Sequence, residues 1–80
     1  MIRVVLWSDG RAYVARTAAA VVDAMRDDNV FTASKSRDEY LETVARRCWR
    51  ADGAGVDCSE PAAFLAGLEA AGYIRQEITK

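Results

Sequence analysis

The spacing of apolar residues changes along the chain, and each change marks an element. Residues 2–7 (Ile-Arg-Val-Val-Leu-Trp) and 11–16 (Arg-Ala-Tyr-Val-Ala-Arg) are rich in β-branched and aromatic side chains and flank Ser8-Asp9-Gly10. That pattern predicts a β-hairpin. Two loops compete. A two-residue Asp-Gly turn sets Ser8 opposite Arg11 and Leu6 opposite Tyr13. A three-residue Ser-Asp-Gly loop, with Gly10 left-handed, sets Trp7 opposite Arg11 and Leu6 opposite Ala12. The second segregates the two faces better and is preferred. It puts Ile2, Val4, Leu6, Ala12 and Val14 on one face and Arg3, Val5, Trp7, Arg11 and Tyr13 on the other. A slip of one residue would exchange the faces of a strand.

Helical spacing follows. Thr17 is the expected N-cap of a helix over 18–28, with Ala18, Val21, Val22 and Met25 as its apolar stripe. Residues 30–35 form a loop from which Phe31 is expected to reach back to the core. Ser36-Arg-Asp-Glu39 reads as a capping box opening a second helix over 37–50. Its stripe is Leu41, Val44, Ala45 and Cys48, flanked by Tyr40 and Trp49. Arg46, Arg47 and Arg50 sit at the negative end of its dipole. Residues 52–58 form a loop. Ser59 should cap a third helix over 60–71, with Pro61 in its first turn and Gly72 as its stop. Residues 73–78 complete the pattern as a strand. The order ββαααβ predicts an α+β fold: a three-stranded antiparallel sheet, N-terminal strand central, with three helices on one face.

At 80 residues the chain makes one domain, 1–80. Eleven basic and twelve acidic side chains give a net charge of −1, which disfavours a broad electrostatic grip on nucleic acid. With no histidine, Ser–His and Cys–His catalysis and His-ligated metal sites are excluded. No Ser or Cys has an evident base, so no enzymatic activity, cofactor or metal is expected. Cys48 falls on a core stripe and Cys58 in an exposed loop. The apolar runs are too short for a membrane span, and the N-terminus lacks the features of a signal peptide. A cytoplasmic location is expected.

Three surfaces stand out as binding candidates. The outer sheet face would carry Arg3, Trp7, Arg11 and Tyr13, joined by Tyr73 and Arg75 from the third strand. Trp, Tyr and Arg are the types enriched at binding hot spots, and they also suit base stacking. Asp23, Asp27 and Asp28 form an acidic corner suited to a basic partner, or simply a solvated face. The third helix is apolar nearly all round. Ala62, Ala66 and Ala70 would either be covered within the chain or form a homodimer interface.

The opening hairpin with Asp9-Gly10, Ser36-Arg-Asp-Glu-Tyr-Leu-Glu-Thr-Val-Ala-Arg-Arg47 and Phe64-Leu-Ala-Gly-Leu-Glu-Ala-Ala-Gly-Tyr-Ile74 resemble a group of uncharacterised small prokaryotic α/β proteins. The resemblance spans most of the chain and rests on core and capping positions. It implies the fold and no activity. In format the chain is also similar to phage-borne anti-CRISPR inhibitors, which are small, single-domain and without catalytic residues. The resulting expectation is a non-catalytic inhibitor, from a phage or mobile element, that binds a protein or ribonucleoprotein partner. In its most concrete form it covers a CRISPR effector complex and blocks target DNA. The alternatives are an RNA- or single-stranded-DNA-binding module using the sheet face, and a housekeeping oligomeric subunit.

Overall fold

A computed structural model describes residues 1–78. The elements are β1 (Ile2–Leu6), β2 (Ala12–Ala15), α1 (Ala18–Asp27), α2 (Arg37–Asp52), α3 (Pro61–Ala70) and β3 (Ile74–Ile78). The sheet is antiparallel with order β2-β1-β3. This is the predicted α+β fold with its ββαααβ order and central N-terminal strand.

The hairpin register differs from both expected loops. Val4 pairs with Tyr13 and Val5 with Ala12. The connection is four residues, Trp7 to Gly10, closed by Leu6 N–H to the Arg11 carbonyl at 2.9 Å and Gly10 N–H to the Leu6 carbonyl at 3.0 Å. Gly10 has φ +75°, so the left-handed position predicted for it is present. The longer loop slips β2 by one residue. Tyr13 therefore shares the helix-side face with Val4, and Val14 faces out. The slip has a polar reason: the Tyr13 hydroxyl donates to Asp28 Oδ2 at 2.7 Å, while its ring packs on the core.

Caps define the helices. Thr17 accepts from Ala20 N–H at 3.1 Å, and Ser36 accepts from Glu39 N–H at 3.2 Å. The reciprocal arm expected of a capping box is replaced by the Ser36 hydroxyl donating to Glu39 at 3.3 Å. Helix α2 runs two residues beyond its predicted end and stops at Gly53, φ +67°. Ser59 does not cap α3. Its N–H is turned onto Asp57 Oδ1 at 2.8 Å, and Glu60 holds the cap position without a side-chain bond. After α3, Gly72 N–H bonds the Glu69 carbonyl and Tyr73 N–H the Leu68 carbonyl, both at 3.0 Å. This pairing, with Gly72 left-handed, is a Schellman stop that delivers Tyr73 beside Leu68.

Val4, Val21, Val22, Met25, Tyr40, Leu41, Cys48, Phe64, Leu65, Leu68 and Ile74 form the core. Tyr40 meets Phe64 edge-on at 6.2 Å between centroids. Helix α1 packs on β1 and β2, and α3 packs on β3. Helix α2 instead rests on α1 and α3. Phe31 does not plug the core; it is 80% exposed. Thr32 turns inward in its place, its hydroxyl donating to the Arg26 carbonyl at 2.9 Å. That bond satisfies a carbonyl freed by the end of α1, a better use of a buried position than an unanchored ring.

Candidate functional site

Because α2 lies on other helices and not on the sheet, a gap opens between it and the loop end of β1. The gap is a cavity of about 600 Å³. Leu6, Trp7, Ser8 and Tyr13 come from the hairpin, and Met25 from α1. Helix α2 contributes Tyr40, Val44, Arg47 and Cys48, and the α3–β3 turn contributes Leu68, Gly72, Tyr73 and Ile74. Local structure explains each placement. The four-residue hairpin loop carries Trp7 past the last strand pair, where its N–H bonds the Tyr73 carbonyl at 3.1 Å. The Schellman turn sets Tyr73 on the opposite lip, its hydroxyl donating to Asp52 at the end of α2. Tyr40, Val44, Arg47 and Cys48 recur at helical spacing along α2.

The walls are apolar with few polar groups. Trp7 is 61% exposed, and the Arg75 guanidinium lies over its ring at 5.8 Å, within cation–π range. Tyr40 is 7% exposed; burial, the largest cause, pushes its phenol up to about 12. The Tyr73 phenol is also pushed up to about 12, chiefly by its hydrogen bond to Asp52. Burial raises the Cys48 thiol, which keeps it protonated and poorly nucleophilic at neutral pH.

Of the residues expected on the outer sheet face, Tyr13 and Tyr73 lie instead around this cavity, and Trp7 lines it while its ring lies against Arg75. Two corrections follow. Tyr13 is on the helix side because of the slipped register, and Tyr73 precedes β3 and leans toward α2. Arg11 is likewise displaced, to the hairpin end, where it binds Asp9 at 3.3 Å and Asp28 at 3.1 Å. The outer face itself carries Arg3, Val5, Ala12, Val14, Arg75 and Glu77. Its arginines are spent on Glu77, with Arg3 at 2.8 Å and Arg75 at 3.0 Å. The Arg3 bond is the main cause of the lowered Glu77 pKa. No aromatic ring from the three strands stands on that face; of the aromatics expected there, only the Trp7 ring keeps a contact with it, through Arg75.

The acidic corner is not a free patch. Asp23 takes a two-pronged bond from Arg37 at 2.9 and 2.7 Å, the main cause of its lowered pKa. Asp27 pairs with Arg26 at 3.1 Å, and Asp28 holds Tyr13 and Arg11. Ala62, Ala66 and Ala70 are exposed along one side of α3. The opposite side closes on residues 54–56, where a Cβ on Gly67 would stand 3.2 Å from Val56 Cγ1.

The sequence places Arg47 in a basic cluster at the α2 dipole end, suited to solvation or phosphate contact, and does not place it on a cavity wall, where the structure has it. Its signal was its spacing from Tyr40 and Val44 on one face of α2. Compared with known proteins, the chain matches no family model, no curated protein and no solved structure. Among the described residues no helix is long and apolar enough to cross a membrane.

Proposed function

We propose that this is a non-catalytic binding protein that works by occupying the surface of a protein or ribonucleoprotein partner, with the mouth of the α2–hairpin cavity as its contact. The observation that carries the reading is the exposed Trp7, held by Arg75 at the lip of an apolar cavity. A large ring left in water beside an apolar opening is the composition of a hot spot. Tyr13 and Tyr73 line the same opening, and Cys48 has the raised pKa of a structural thiol.

The narrowest form of the proposal is an inhibitor of a CRISPR effector complex that blocks target-DNA access. Its test is target-DNA binding by a purified effector complex with increasing amounts of this protein. Inhibition by the wild type, lost in Trp7→Ala while Arg3→Glu retains it, supports both the activity and the contact surface. Equal inhibition by Trp7→Ala places the contact elsewhere. No inhibition removes the narrow form. Direct nucleic-acid binding is the weaker alternative, since the arginines of the outer face are already paired. A steep fall of affinity with salt would reinstate it.

A further inference from the structure

The α2 wall of the cavity has a chemistry that the contact at Trp7 does not use. Among the described residues lining it, Arg47 carries the only formal charge. Arg3, Arg11, Arg26, Arg37 and Arg75 each have a carboxylate within ion-pair distance. Arg47, exposed at the rim, has none among the described residues; Arg16, Arg46 and Arg50 also have none, but of these four only Arg47 lines the cavity, and no described aspartate or glutamate lines it to supply a partner. Nearby, Tyr40 is more than nine-tenths buried, yet its hydroxyl makes no hydrogen bond to a described residue. No partnerless polar side-chain atom among the described residues is sealed from solvent, so the Tyr40 oxygen keeps an opening, and the cavity is the space it lines.

The Tyr40 hydroxyl has no described protein partner and can donate to a ligand in that space. The unpaired guanidinium of Arg47, on the same α2 wall of the cavity, offers donors in a planar fork suited to a carboxylate. Leu6, Met25, Val44, Leu68 and Ile74 supply apolar wall, and about 600 Å³ falls in the range of small-molecule sites, well above the volume of one inserted side chain. We infer that the cavity is a binding site for a small organic acid, an alkyl or aryl body carrying one carboxylate. The body fills the space between α2 and the hairpin. The carboxylate receives the Arg47 guanidinium and the Tyr40 hydroxyl. Tyr40 is a neutral phenol at physiological pH and so remains a donor to that anion. The inference goes beyond the macromolecular reading and stands without it, because the isolated protein suffices to test it.

Trp7 at the mouth is the reporter. In a Trp49→Phe background, which removes the exposed tryptophan on α2 outside the cavity, decanoate should produce a saturable change in Trp7 emission. Decanol, with the same chain and no charge, should bind about tenfold more weakly or worse, the scale of one charge-assisted hydrogen bond. Arg47→Gln should bring decanoate down to the level of decanol. Tyr40→Phe should weaken decanoate by a smaller factor and leave decanol unchanged. Circular dichroism of each variant verifies the fold. Absence of a saturable change with decanoate overturns the inference. So does equal binding of decanoate and decanol, or decanoate binding that Arg47→Gln leaves untouched. These outcomes involve no macromolecule, so failure here is separable from failure of the proposed contact.

Discussion

Tyr40 offers a sharp test of the packing that creates the cavity. Its side chain is buried against Phe64, and its phenol is raised from 10.0 to about 12, with burial as the first cause. A folded-state pKa above the unfolded one means the native state holds its proton more tightly. Stability is therefore full below pH 10 and falls as pH rises from 10 toward 12. That rise corresponds to roughly 2–3 kcal/mol, a sizeable share of the stability of so small a domain. The assay is urea denaturation across that interval, on the wild type and on Tyr40→Phe, with tyrosinate absorbance followed in parallel. The phenylalanine variant should lose much less stability over the interval. Near neutral pH it should be as stable as the wild type or slightly more so, because the deleted hydroxyl has no protein partner. Tyr73→Phe serves as a control for the second raised phenol, whose cause is the bond to Asp52. Parallel pH curves for wild type and Tyr40→Phe would refute the reasoning, since Tyr40 would then titrate as a solvated side chain.

Ser36→Ala removes the acceptor for Glu39 N–H and should cost about 1 kcal/mol, lowering the melting temperature by roughly 4–8 °C by calorimetry. Trp7→Ala, at an exposed side chain, should cost far less than the ~3–5 kcal/mol of a buried aromatic truncation, measured by urea denaturation. Ala66→Arg should leave the melting temperature nearly unchanged, because Ala66 is exposed. If α3 pairs two chains, sedimentation will show a wild-type dimer and an Ala66→Arg monomer under reducing conditions.

Periodicity and caps carried the fold. The stripes on Val21, Val22 and Met25 and on Leu41 and Cys48 are the buried ones, and Thr17, Ser36 and Gly72 act where their chemistry placed them. The features that escaped depend on choices made between distant parts of the chain. The hairpin register turned on whether Trp7 joined the strand or the loop. Alternation could not decide this in β2, where Ala12, Tyr13, Val14 and Ala15 suit either face. The Tyr13–Asp28 bond, across 15 residues, is the term that local pattern could not contain. The same holds for Thr32 over Phe31: the Thr32 hydroxyl bonds the Arg26 and Asn29 carbonyls at the end of α1, and hydrophobicity alone ranks the ring first. Trp7, Tyr13, Tyr73 and Arg75 were recognisable as binding types from composition. That Trp7, Tyr13 and Tyr73 line one cavity was not, since it follows from α2 standing off the sheet, while Arg75 stays on the outer face.

Binding at the cavity between α2 and the hairpin, and not on the outer sheet face, is most directly tested by amide chemical-shift mapping of the isolated protein during addition of decanoate. Saturating shifts should concentrate at Leu6, Trp7, Val44, Arg47 and Tyr73, with Arg3, Val14 and Glu77 unmoved. Shifts centred on Arg3, Val14 and Glu77, or none that saturate, would contradict it.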